Sequence, residues 1–338
     1  MKLQQRIHIL AGLGDYLSSD VEAWKSVKQR ASLENSWFLP EFIDIAVNHI
    51  CSAFLDSNKL QEWVSKYNID ETVTSPKTVG IVMAGNIPLV GFHDFISVFI
   101  SGHKQAIKLS SKDSVLLKHI VEYIISQDPA VNEYIRFEEL LKNCDAYIAT
   151  GSNNSARYFE QYFARFPHII RRNRTSIAIL DGTESNGELA KLADDIQLYF
   201  GLGCRNVTKI YIPAGYDFVP LLEALRKYDY FIDQHKYKNN YDCNLTIQIM
   251  NNRFYMTNES LLMVENTSPF SPIGELHYEF YTDKNAVLQN LNNENVDEKT
   301  QDLQCIVGKG YLPFGKAQFP SLSDYADGID TLEFLTTV

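Results

Sequence analysis

Cys204 stands in the run Gly201-Leu202-Gly203-Cys204-Arg205-Asn206, behind two glycines and directly before an arginine. A cationic neighbour favours the thiolate, and the thiolate is the nucleophile that forms covalent acyl intermediates. The plain alternative is a small buried hydrophobe, since cysteine is among the most buried residue types. The other cysteines, Cys51, Cys144, Cys243 and Cys305, lie far apart. They form no Cys-x-x-Cys pair and no Cys/His cluster at zinc spacing, so reduced thiols and no metal centre are expected. The histidines His93, His119, His168, His235 and His277 fall in no constellation that marks a general acid.

A nucleophile needs a scaffold. Residues 1 to about 70 read as helical, with Phe42, Ile43, Ile45, Ala46, Ile50, Phe54 and Leu55 near a 3.6 period from Pro40 onward. From Thr78 the pattern changes to β-rich runs alternating with amphipathic stretches. VGIVMA is followed by a helix around Phe92 to Ile100, QAIKLS by one from Ser114 to Ser126, AYIATG by one from Ser155 to Phe166, and SIAILDG by one from Gly187 to Phe200; TKIYIP closes the series. Five strands joined by four helices predict a mostly parallel α/β sheet with right-handed crossovers. Gly102 should end the first of these helices in a left-handed conformation, and Ser111, Asp113 or Ser114 should cap the second. Beyond Pro213 the sequence predicts a helix near Phe218 to Leu225, strand-like runs LTIQIM and SLLMVE, and an exposed loop from Asn290 to Asp302.

Open parallel sheets bind ligands at the carboxyl ends of their strands. Those ends read Ala84-Gly85-Asn86-Ile87-Pro88-Leu89, Lys108-Leu109-Ser110-Ser111 and Thr150-Gly151-Ser152-Asn153-Asn154. None is a nucleotide motif alone, and the chain has neither a G-x-G-x-x-G nor a G-x-x-x-x-G-K-[ST]. With 31 basic and 42 acidic residues the net charge is −11, which disfavours nucleic acid and anionic membranes as partners. No run approaches the roughly 18 apolar residues of an integral membrane segment, and the N-terminal residues carry no cleavable signal pattern, so a cytoplasmic location is expected. A chain of 338 residues, 45% hydrophobic, predicts about two globular domains and a small-molecule partner.

In order, Gly-Asn-x-Pro-Leu, Lys-x-Ser-Ser, Thr-Gly-Ser and Gly-x-Gly-Cys-Arg resemble the aldehyde dehydrogenase superfamily, specifically its LuxC-type acyl-CoA reductase branch. The resemblance covers residues 78 to 213, and Leu312-Pro313-Phe314-Gly315-Lys316 is similar to the superfamily's Pro-Phe-Gly segment near the substrate site. It implies an aldehyde-dehydrogenase-like α/β fold. A Rossmann-type parallel-sheet cofactor domain would span residues 1–199 together with the N-terminal helical segment, a smaller α/β catalytic domain would span 200–317, and a tail would span 318–338. In the tail, Asp330 to Val338 reads as a strand for a sheet edge or for oligomerisation.

The resemblance also implies roles. Cys204 matches the nucleophile and Asn86 the amide that supports the oxyanion, a donor worth about 2.7–4 kcal/mol in other enzymes; a turn asparagine is the plain reading of Asn86. Lys108, with Ser110 and Ser111 beside it, matches the lysine at the adenosine ribose or its 2′-phosphate. The absence of a carboxylate there favours NADPH, with NADH as the alternative. Gly151 and Ser152 match the pair that opens a helix near the pyrophosphate, though a lone lysine at a strand end and a capping serine need no ligand. Oxidising relatives place a hydrolytic glutamate where this chain reads Arg171-Arg172-Asn173-Arg174-Thr175-Ser176, and arginine is no base at neutral pH. Arg171, Arg172 and Arg174 are also candidate phosphate contacts. The nicotinamide ribose ligand is unassigned between Glu265 and Glu275.

These features predict reduction of an acyl-CoA, with a fatty acyl chain favoured, to an aldehyde. The alternatives are an acyl phosphate reductase, a cysteine-dependent acyltransferase or thioesterase, and a binding protein that keeps the fold. A homodimer and an acyl-donating partner enzyme are family expectations.

Overall fold

The computed structural model describes residues 1–292 and 303–338, in two compact units. The first unit comprises Met1–Asn173 with Pro320–Val338, the second Arg174–Phe319. The first opens with helices Leu3–Leu17, Glu22–Glu34, Pro40–Phe54 and Ser57–Val64, as the periodicity predicts. Five parallel strands follow: β1 (Thr78–Val82), β2 (Lys104–Lys108), β3 (Ile135–Phe137), β4 (Ala146–Thr150) and β5 (His168–Arg171). Their order, β3-β2-β1-β4-β5, is that of doubly wound dinucleotide folds. The helix Phe92–Ser101 is buried almost all round and ends at Gly102 in the left-handed conformation (φ 86°) that its missing side chain permits.

The second unit holds β6 (Thr175–Ile179), β7 (Val207–Pro213), β8 (Met256–Thr257), β9 (Leu262–Glu265), β10 (Glu275–Tyr281) and β11 (Leu303–Gly308). Their order is β11-β6-β7-β10-β9-β8, parallel except for the β8–β9 pair. Ile177, Ala178, Ile210, Ile212, Leu262, Met263 and Leu276 fill the middle of this sheet with no exposed surface.

The five expected strands therefore do not share one sheet. The short, half-polar run His168–Arg171 takes the place beside β4, and the next strand starts the second sheet by pairing with β7 and β11. The division consequently falls at 173/174 rather than 199/200, carrying β6 and the helix Asn186–Gln197 into the second unit.

Two further expectations change. LTIQIM lies in the helix His235–Met250 despite its β-branched residues. Asp330 to Val338 is not a strand: Asp330 caps the helix Thr331–Thr336 by accepting from the Glu333 N–H (2.9 Å), which outweighs β propensity, and Leu332 and Leu335 enter the core of the first unit. Residues 318–338 are thus no loose tail, since His49, His93 and His103 hydrogen-bond the carbonyls of Pro320, Leu322 and Leu335. The loop expected at 290–302 lies outside the described residues except at its start, where the helix Lys284–Asn292 ends.

Candidate active site

In the second unit the helix Asn186–Gln197 stops abruptly. Tyr199, Phe200 and Gly201 follow with φ of 57°, 58° and 73°, one left-handed turn in which two members are not glycine. Such a conformation costs roughly 1–2 kcal/mol per non-glycine residue. Burial holds it in place, because Phe200 packs on Phe231 and Tyr237 with ring centroids 4.3 and 5.5 Å apart.

Cys204, half-buried, rides on the turn that comes next, directly before β7. Its carbonyl accepts from Ser176 Oγ on β6 (3.2 Å), and Ser176 in turn lies 3.1 Å from Cys305 Sγ on β11. Burial pushes the thiols of Cys51 and Cys144 up, away from the thiolate.

Asn206 and Asp195 organise this turn, and sequence reasoning assigned neither. Asn206 is fully buried; its Nδ2 donates to the carbonyls of Asp195, Ile196 and Leu198 (3.2, 3.1 and 2.9 Å), and its Oδ1 accepts from the Gly203 N–H (2.8 Å). The buried Asp195 carboxylate accepts from the N–H groups of Gly315 (2.6 Å) and Ala317 (3.0 Å). The Pro313-Phe314-Gly315 segment and the Cys204 turn therefore hang from the same helix end. For Asn206 the available signal was its place two residues after the cysteine; for Asp195 there was none.

In the first unit the expected cofactor residues gather at the carboxyl edge of the sheet. The Ala84–Leu89 and Gly151-Ser152 segments follow β1 and β4, where the strand order reverses, and Lys108, Ser110 and Ser111 end β2. A Cβ on Gly85 would lie 2.6 Å from Ser110 Oγ, so only glycine lets the first two loops touch. Ser152 caps the helix Asn153–Phe163 through the Ser155 N–H (3.3 Å), while Lys108 is exposed. Asn86 is half-buried in the β1 loop.

Asp113 does not cap the next helix, whose N-cap position is Ser114. It turns back to accept from the Leu89 N–H (2.7 Å), where Leu89 is itself left-handed (φ 55°). Burial raises its carboxyl to about 7. Because the folded state binds this proton more tightly than the unfolded chain, the stabilisation is complete below about pH 4 and is lost as pH rises through about 7, by roughly 4 kcal/mol. Asp113→Asn should remove that slope. Urea midpoints across pH 4–8 read it by fluorescence, since Trp24, Trp37 and Trp63 all lie in this unit; an unchanged slope would exclude Asp113 as its source.

The three arginines do not form one patch. Arg171 is buried in an ion pair with Asp94 and donates to Thr331 Oγ1 (2.7 Å), Arg172 pairs with Glu160 on the surface, and Arg174 donates to the Leu303 carbonyl in the second unit (3.2 Å). A guanidinium buried against its own carboxylate is a structural tie rather than a phosphate contact. Glu275 is likewise engaged, by Gln248 Nε2 (3.2 Å) and His277 Nε2 (2.9 Å), while Glu265 is exposed at the end of β9.

The model of the acyl-CoA reductase (LuxC) family matches residues 46–220, slightly more than half of the chain and including both Asn86 and Cys204. The chain belongs to this LuxC family. Its members are oxidoreductases, and solved aldehyde dehydrogenases share the LuxC chain's fold. The NAD-dependent aldehyde dehydrogenase from Sinorhizobium meliloti matches with a TM-score of 0.67 at 11% identity, over 91% of this chain and 70% of that one. An aldehyde dehydrogenase from Bacillus cereus, solved as an NAD+ complex, gives 0.64 at 13% over 87% and 70%. The aldehyde dehydrogenase KauB from Pseudomonas aeruginosa gives 0.64 at 12% over 91% and 72%. No curated protein matches the chain. Among the described residues no helix is long and apolar enough to cross a membrane, and no three His, Cys, Asp or Glu side chains gather as a metal site.

Proposed function

We propose that this LuxC-family protein reduces an acyl-CoA to an aldehyde and free coenzyme A, with NADPH as reductant. The observation that carries the reading is Cys204, the cysteine of the family-matched stretch that sits half-buried on a tightly held turn, in a chain with no glutamate at Arg171–Ser176.

The cofactor fit rests on the first unit. Among the residues of the β1 and β2 loops, Asp113 is the one carboxylate, and it is buried against the Leu89 N–H. What the β2 end offers outward is therefore the Lys108 ammonium and the hydroxyls of Ser110 and Ser111, a donor set suited to a 2′-phosphate. Gly151 and Ser152, at the start of an eleven-residue helix, suit the pyrophosphate. Bound there, the nicotinamide supplies hydride.

The chain's own residues do the rest. The Cys204 thiolate attacks the thioester carbonyl, expels the coenzyme A thiolate and holds the acyl group as its own thioester. The oxyanion formed in each addition is stabilised by the Cys204 N–H and, following the family resemblance, by the Asn86 amide. With no glutamate at residues 171–176, where oxidising relatives place the one that activates water, the acyl-enzyme persists until reduction, and collapse of the thiohemiacetal frees the aldehyde and the thiolate.

The test follows NADPH and NADH absorbance with acyl-CoAs from short to long chain. Oxidation that requires acyl-CoA and is faster with NADPH supports the reading. Thiol release at a rate indifferent to NADPH would replace it with a transferase or thioesterase, and consumption of an acyl phosphate instead would move the substrate class.

A further inference from the structure

The Cys204 turn is built around one side chain two residues downstream. Asn206 contributes no atom to the chemistry proposed above, yet it is fully buried and its side chain meets four backbone groups. Its side chain joins three carbonyls at the end of the helix Asn186–Gln197 to the Gly203 N–H, and its own N–H donates to the Gly203 carbonyl (3.1 Å). That last bond has a directional consequence. The Gly203 carbonyl and the Cys204 N–H belong to one planar trans peptide, in which C=O and N–H point in opposite directions. Fixing the carbonyl toward Asn206 therefore fixes the Cys204 N–H away from it.

We propose that Asn206 is the positioning residue that aims the Cys204 N–H as an oxyanion donor, by clamping the Gly203–Cys204 peptide to the end of the preceding helix. The inference rests on Cys204 being the nucleophile and adds the residue that orients its backbone. The left-handed turn Tyr199–Gly201 lies inside the clamp, between the Leu198 carbonyl and the Gly203 N–H, so the same side chain bridges both sides of the strained segment. An oxyanion donor works only within a few tenths of an ångström of its place, and a peptide free to rotate loses it.

The discriminating experiment compares two reactions of the same thiol. Acylation by p-nitrophenyl acetate passes through a tetrahedral oxyanion, whereas alkylation by iodoacetamide is a direct displacement at carbon that forms none. Neither needs cofactor or acyl-CoA. In Asn206→Ala, and in Asn206→Ser, which keeps one donor, the acylation rate should fall about 100-fold for the alanine and less for the serine, while alkylation stays within about threefold. Both rates are taken on the same sample, with Cys204→Ser subtracting the other cysteines, so their ratio is independent of the folded fraction. Equal losses in both reactions, no loss in acylation, or a wild-type Cys204 that is not acylated would each overturn the proposal. NADPH-coupled reduction of acyl-CoA by the wild type is measured alongside, so failure of the reductase reading is seen separately from failure of the clamp.

Discussion

Cys204→Ser is expected to lower acyl-CoA reduction at least about 10³-fold, equivalent to ~4 kcal/mol of transition-state stabilisation. A serine hydroxyl ionises far above a thiol and becomes a nucleophile only when a base takes its proton. Arg205, the adjacent side chain, is no base at neutral pH. The fold should be untouched, because serine is close to cysteine in size and the Cys204 carbonyl keeps its hydrogen bond from Ser176 Oγ. Circular dichroism and the melting midpoint should match the wild type, and intact mass should find an acyl adduct on the wild type alone. A variant that keeps a tenth of the wild-type rate would remove Cys204 from the mechanism.

The largest stability effect should come from Asp94. Its side chain is 8% exposed and that of Arg171 5%, so Asp94→Ala leaves a guanidinium buried without its carboxylate. Breaking a buried pair from one side costs about 3–5 kcal/mol, whereas replacing both charges with apolar groups of similar volume is often neutral. The double change Asp94→Leu with Arg171→Met should therefore recover most of the loss. Urea unfolding followed by tryptophan fluorescence, which reads the first unit, measures both. A single-variant loss below about 1 kcal/mol, or a double variant no better than the single, would mean the pair is not the tie described.

The site was legible in the sequence where a backbone constraint left a residue type behind. Gly102 announced a left-handed helix end, and it is present there, whereas the close approach that requires glycine at Gly85 was not read from the sequence. Cys204 stood out because its neighbours are unusual. The strands were legible wherever apolar runs were long, and His168–Arg171 escaped because it has four residues, two of them charged or titratable. Missing it merged two sheets into one and displaced the unit boundary. Asp113, Asp195 and Asn206 escaped for another reason: each is a polar residue whose partners are backbone groups, and no local pattern says which backbone a buried carboxylate or amide will meet. The final helix shows propensity losing to capping, since Asp330 and Glu333 set the helix that Thr331, Phe334 and Thr336 would otherwise oppose.

The return of residues 320–338 to the first unit also orders events on the ribosome. The second unit is continuous in sequence, so all of it has been synthesised before the first is complete. Thr331 is made 160 positions after Arg171, an interval of roughly 8–32 s at about 5–20 residues per second. Tyr67 meets Asp330 and Trp63 meets Tyr325 across still longer separations. Throughout that interval the nascent first unit lacks the cover that Leu332 and Leu335 later give its core, and the second unit is synthesised to its end at Phe319 before those two residues are made.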